Sequence, residues 1–171
     1  LQLRAAVEPL DKLEVRQAIS CAIDREEVVE VAALGEGQVT GPLTMPAWAI
    51  PLDELFCYKQ DVEKARELMK QAGMEAGFEL PIIVAVAEPP TALSEAQVIQ
   101  EQLKAINITV DIESLEFGTY VDRWLAADFV GAIALNGGRP DPYPMYSRYW
   151  QYDAQFSNVA GYIDDTLDRL M

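Results

Sequence analysis

The sequence predicts an α/β fold, a mostly parallel sheet flanked by helices, and three observations carry that prediction. Strand-length patterns recur, as apolar runs at residues 80–87 and 129–135 and as an apolar/polar alternation at 108–113. Helical stripes separate them, with Val98, Ile99, Leu103 and Ile106 on one and Tyr120, Val121, Trp124 and Leu125 on the next. Connections of that length join parallel neighbours through right-handed crossovers.

Residues 1–7 alternate weakly and predict a short strand. From Leu13 the period becomes helical, with Val15, Ala18, Ile19, Ala22 and Ile23 on one face. Asp24 stands three residues before Glu27, a capping-box spacing, and Val28, Val29, Ala32 and Ala33 form a second apolar set. Two short helices therefore meet at Asp24, and Gly35 closes the second as a left-handed cap. Residues 35–58 hold Gly37, Gly41, Pro42, Pro46 and Pro51 and predict a long irregular loop, whose Met45, Trp48, Ile50 and Phe56 either cover the core or line a cleft. The glycines at 35 and 37 do not make a dinucleotide loop, because Thr40 replaces the third glycine and a helix precedes them.

Asp61 caps a helix that buries Ala65, Leu68, Met69 and Ala72 and stops at Gly73. Residues 80–87 form an apolar strand, and Ser94 with Gln97 predicts a capping box for the helix after it. Ile108, Val110 and Ile112 alternate with Thr109, Asp111 and Glu113, the pattern of a strand with one wet face. Thr119 and Asp122 are expected to start the next helix. The run 129–135, unbroken and apolar, reads as a strand buried on both faces. Tyr143, Tyr146 and Tyr149 are spaced three apart, followed by Trp150, Tyr152 and Phe156, and either pack on the sheet or wall a ligand site. Residues 158–161 read as a turn, and Asp164, Leu167, Asp168 and Leu170 as a final helix.

The chain has 171 residues, enough for one domain. Its 13 basic and 28 acidic residues give a formal charge of −15, which disfavours nucleic acid and anionic membrane as partners. There are no histidines, so the commonest general base and metal ligand is missing. Cys21 and Cys57 are the only cysteines. One bridge is open to them in an oxidising compartment, but the place of Cys21 in an apolar helical stripe favours a small unbridged core side chain. No apolar run approaches the roughly 18 residues of a membrane span. The opening on Leu1, without a starter methionine or a signal peptide, reads as an excised or processed piece.

The chemistry-bearing stretch is the turn at 136–142. Ligands of open α/β sheets are met beyond the carboxyl ends of the strands. There Asn136, the backbone N–H groups of Gly137 and Gly138, the guanidinium of Arg139 and the carboxylate of Asp141 follow a buried strand. No Walker loop, metal-ligand spacing or nucleophile beside a base accompanies them, so neither cofactor nor metal is expected. Two rivals to a binding role are a small carboxylate-dependent hydrolase and a protein-interaction module that docks through the aromatic segment.

The order of motifs resembles the extracellular solute-binding proteins of family 5, the oligopeptide, dipeptide and nickel receptors of ABC importers. Val15-Arg16-Gln17-Ala18 with Ala22-Ile23-Asp24-Arg25 is similar to their "VRQAxxxAIDR" helix. Gly41-Pro42-Leu43, Asp61-Val62-Glu63-Lys64-Ala65 with Ala72-Gly73, Leu115-Glu116-Phe117-Gly118-Thr119-Tyr120 and Gly138-Arg139-Pro140-Asp141-Pro142 resemble further family segments in the same order. So does the stretch 158–164. The resemblance implies one lobe, the second, spanning residues 1–171, of a type II periplasmic-binding-protein-like receptor. Two such lobes would close on a peptide-like or other small solute and deliver it to a membrane permease. It implies no enzyme activity, and a periplasmic or extracellular location, free or lipid-anchored. It places Phe117 and Asn136 where the family has pocket tryptophans, and makes Trp48 a further candidate wall. It places Arg139 where oligopeptide receptors have an aspartate for the ligand's amino terminus. A guanidinium there calls for an acidic or acceptor-rich ligand group, or pairs with Asp141.

Overall fold

The computed structural model describes residues 1–40, 50–86, 88–135, 141, 143, 147, 159–161 and 165–170. Among these, β1 (Gln2–Leu3), β2 (Phe78–Ala85), β3 (Ile108–Leu115) and β4 (Gly131–Ile133) form a sheet in the order β1-β4-β2-β3. β2 is parallel to β3 and to β4, and β1 is antiparallel to β4. The helices are α1 (Leu13–Ala22), α2 (Arg25–Ala32), α3 (Val62–Gln71), α4 (Ala92–Leu103), α5 (Phe117–Leu125) and α6 (Asp165–Leu170).

Side-chain alternation splits the core into two layers. Leu80, Ile82, Val84, Ile108, Val110 and Ile133 face α4, with α1 and α3 completing that layer. Ile83, Ala85 and Ala132 face the other way, onto Tyr120 of α5 and onto Phe129 and Val159. β4 is buried on both faces, but it takes up only Gly131–Ile133 of the expected run 129–135, and Leu135 beyond its last ladder pair is exposed. β2 carries Pro81 in its interior, where a missing N–H would cost a ladder bond. β4 first pairs with β2 at Ile82, so the proline lies where β2 has only β3 beside it.

The stripe Val15, Ala18, Ile19, Ala22 and Ile23 is buried, and the chain breaks between α1 and α2 at Asp24 as expected. Asp24 Oδ1 accepts from the N–H groups of Glu26 and Glu27. The reciprocal half of the capping box is different. The Asp24 N–H goes to Gln102 Oε1 of α4 at 3.1 Å, and Gln102 Nε2 donates to Glu27 Oε2 at 2.7 Å. No residue of α2 is fully buried, so Val28, Val29, Ala32 and Ala33 are a half-covered face rather than core.

Two other helix starts also differ from expectation. α4 begins at Ala92, with Thr91 Oγ1 donating to Glu95 Oε1, so Ser94 and Gln97 lie inside the helix, and Val98 is half-buried. α5 begins at Phe117 rather than Thr119, because the Glu116 side chain caps it.

The end of α1 is held by groups from elsewhere in the chain. Asp61 N–H donates to the Cys21 carbonyl at 2.8 Å, and Gln60 Nε2 to that of Ala22 at 2.9 Å. Arg25 Nη1 faces the carbonyls of Ser20, Ile23, Cys57 and Tyr58, while Nη2 donates to Ser20 Oγ. Cys21 and Cys57 are bridged, with Cα atoms 4.8 Å apart, which corrects the unbridged reading of Cys21. Cys21 is nonetheless fully buried, so its apolar stripe was real and did not exclude a bond. An ammonium cannot reproduce the planar fork of Arg25. Arg25→Lys should therefore leave part of this carbonyl cluster unpaired and cost about 2 kcal/mol. Urea unfolding of the chain measures this, and a loss within experimental error would mean that the cluster is satisfied without the guanidinium.

Candidate functional site

The parallel register brings three strand ends to one edge. Ala85 of β2 pairs with Leu115 of β3, and Val84 of β2 with Ile133 of β4. From this edge the connection after β2 leads to α4 and that after β3 to α5. These helices cover opposite faces, so the two connections diverge from the strand ends. Among the described residues, three large apolar side chains stand exposed there: Val86 after β2, Phe117 after β3 and Leu135 after β4, at 54, 43 and 70% exposure. Burial of such residues is normally favourable by about 25 cal/mol per Å², so their convergence on one edge marks a surface suited to contact.

Phe117 is held by its neighbours in the chain. Glu116 Oε2 accepts from the N–H groups of Gly118 and Thr119, and the Glu116 carbonyl accepts from Tyr120 N–H. A β-carbon on Gly118 would lie 3.0 Å from Glu116 Oε2, so glycine makes room for the cap. The cap also occupies the positive end of α5, leaving its first amides unavailable to an anionic ligand.

The Tyr120 hydroxyl donates to the Ile133 carbonyl at 2.8 Å in a buried position. Burial pushes its pKa up to about 12. The folded value thus lies above the ordinary value near 10. The folded chain then holds a proton that the unfolded chain gives up. The associated stability is fully present below about pH 10 and is lost as pH rises through 12, by about 2 kcal/mol. Urea midpoints from pH 9 to 12 should fall more steeply for the native chain than for Tyr120→Phe; parallel curves would contradict the assignment.

Of the residues expected at the site, Phe117 lies on this edge. Asp141 is exposed, and its Oδ1 accepts from Tyr143 N–H at 3.0 Å. Trp48, Asn136, Gly137, Gly138 and Arg139 lie outside the described residues, as do Tyr146, Tyr149, Trp150, Tyr152 and Phe156. Nothing in the sequence distinguishes Val86, Leu135 and Glu116 as site residues. The first two belong to strand-like apolar runs, and only their position past the last ladder pair separates them from core.

Residues 1–158 match the family model described as "Bacterial extracellular solute-binding proteins, family 5 Middle". The chain belongs to this family. Among its curated relatives, the di/tripeptide-binding protein 3 of Pseudomonas aeruginosa (strain UCBPP-PA14) is 32% identical over 95% of this chain and 32% of its own length. Among solved structures, the periplasmic binding protein DppA from Helicobacter pylori, in complex with the peptide STSA, superposes with a TM-score of 0.84 at 27% identity, over 99% of this chain and 33% of that one. AgaA from A. tumefaciens R10, in complex with agropinic acid, gives 0.84 at 26% identity, over 99% and 35%. The fold of this family 5 chain is thus that of periplasmic binding proteins, and the α/β reading stands. The chain spans about a third of the length of these relatives. Among the described residues no helix is long and apolar enough to cross a membrane.

Proposed function

We propose that this chain is one lobe of a two-lobed receptor that captures a peptide-like or other small solute and delivers it to an ABC permease. The observation that carries the reading is the convergence of exposed Val86, Phe117 and Leu135 on the carboxyl edge of a family 5 sheet. In this reading Phe117 and Trp48 wall the solute, and Asn136, Gly137, Gly138, Arg139 and Asp141 supply its polar contacts. The protein works as a binder and not as an enzyme, outside the cytoplasm, in the periplasm or at the cell surface. Closure is a hinge motion driven by contacts that both lobes make with the solute, so one lobe alone binds weakly.

Arg139 supplies a fixed positive charge where a carboxylate would receive a peptide ammonium. An acidic or acceptor-rich solute suits it better than a free amine.

Titration calorimetry of the full-length receptor against di- and tripeptides, the tetrapeptide Ser-Thr-Ser-Ala and agropinic acid tests the reading. Phe117→Ala should weaken the tightest of these by about 10- to 100-fold, as loss of a buried aromatic anchor does. Undiminished affinity, or no binding across the panel, would refute the placement of the site.

A further inference from the structure

We propose that Tyr120 is the positioning residue of this site: its hydroxyl is a strut that sets the gap between the Phe117 wall and the Leu135 wall. The inference rests on the reading of the carboxyl edge as the solute site.

The two walls belong to different parts of the fold. Phe117 opens α5, which lies on one face of the sheet, and Leu135 lies two residues beyond the end of β4, a strand of the sheet. β1 pairs with β4 at Gly131 and Ala132 and reaches no further, and β2 pairs with it as far as Ile133. Past that point the Ile133 carbonyl accepts from Tyr120. Each end of this bond is rigidly linked to one wall. Tyr120 shares a helical face with Phe117 three residues before it. That same turn is clamped by Glu116, through its side chain to Gly118 and Thr119 and its carbonyl to Tyr120. Ile133 is the last ladder residue before Ala134 and Leu135.

The ring has its own reason to stay. It is 7% exposed and packs with Ile83, Ala85, Phe129, Ala132 and Val159. Removing only the hydroxyl therefore keeps the packing and deletes the strut. Loss of a hydroxyl that served stability alone would lower the resistance of the whole lobe to unfolding. Loss of a strut alters the two walls locally and, through them, the fit of the solute.

The test uses the full-length receptor carrying Tyr120→Phe, with Phe117→Ala and Ile99→Val alongside. Ile99 is buried against the opposite face of the sheet, so its truncation lowers stability without touching the edge. Hydrogen exchange is followed in fragments covering residues 117–120 and 131–135, and binding with agropinic acid, the acidic solute of the panel, as the probe. Tyr120→Phe should raise exchange in both fragments by about tenfold while β2 and β3 stay protected, and weaken probe binding by about 5- to 10-fold, in keeping with loss of one buried hydrogen bond. Ile99→Val should do neither. If exchange in these fragments is unchanged, or rises only as much as in Ile99→Val, the strut is refuted. It is equally refuted if Phe117→Ala loses affinity while Tyr120→Phe keeps it. If Phe117→Ala keeps affinity, or the probe does not bind at all, the site reading falls, and the exchange data alone decide whether Tyr120 positions the two segments.

Discussion

Gly77→Ala is expected to lower the stability of the chain by about 3–5 kcal/mol, one of the largest effects of any single methyl group in it. Gly77 has φ +76°, and a β-carbon built on it would lie 1.6 Å from the carbonyl oxygen of Asn107 and 2.4 Å from its carbonyl carbon. Those are backbone atoms, so no rotamer change relieves the clash. Asn107 is itself left-handed at φ 59°, and its Nδ2 donates to the Glu75 carbonyl at 2.9 Å. Both residues immediately precede the first rung of the β2–β3 ladder, Phe78 opposite Ile108. Relief therefore requires the two strands to part where their pairing begins. Gly73→Ala is the internal control. Gly73 has a similar φ of +70°, but nothing lies within 4 Å of its would-be β-carbon. It should cost only the backbone term, about 1 kcal/mol. Urea unfolding of both variants measures the difference; equal midpoints would show that the close approach to Asn107 is readily relaxed.

Replacing Cys21 and Cys57 together by alanine is expected to cost about 3–4 kcal/mol, because the bridge closes a loop with a sequence separation of 36. Part of this is the unfolded chain regaining freedom, and part is lost packing at Cys21, which is fully buried. The fold itself should survive, since Arg25 Nη1 still donates to the Cys57 carbonyl at 2.9 Å and Asp61 N–H to that of Cys21. Far-UV circular dichroism of the double variant should match the native chain, with a lower urea midpoint. Dithiothreitol should shift the native midpoint toward that of the variant and leave the variant unmoved. A native midpoint indifferent to reductant would mean that the bond adds nothing to the contacts around it. The bridge also agrees with a family of extracellular proteins, where disulfides persist.

Much of this fold could be read from the order of residues. Val15, Ala18, Ile19, Ala22 and Ile23 repeat at helical spacing, and all are buried. Ile108 and Val110 alternate with Thr109 and Asp111, and β3 is inward and outward in that pattern. These signals are local: burial of one face imposes a period of 3.6 or 2 on the chain, and the period survives in the sequence. The helix starts were less legible. Glu116, Thr91 and Asp24 all cap helices or adjoin caps, but several polar residues near each start could serve equally well, and the backbone path chooses among them.

Of the candidate site, the sequence marked Phe117 through a family motif; residues 136–140, which it marked through their glycines and arginine, lie outside the described residues. It could not mark Val86 and Leu135, which look like the last residues of buried strands. Whether they are core or surface depends on where the neighbouring strand stops pairing, which is a property of the ladder and not of either residue.

By itself, then, the sequence determined the alternation of strands and helices, the two-sided burial of β4 and the family to which the chain belongs, because each is written in short-range periodicity or contiguous motifs. Only the tertiary structure decided that Gln102 completes the cap at Asp24, that Cys21 meets Cys57 and that the Tyr120 hydroxyl reaches Ile133. These contacts join residues 13 to 78 positions apart. Hydrogen-bond donors and thiols carry no sign of their partner in the linear chain; they acquire one when packing brings two surfaces within about 3 Å.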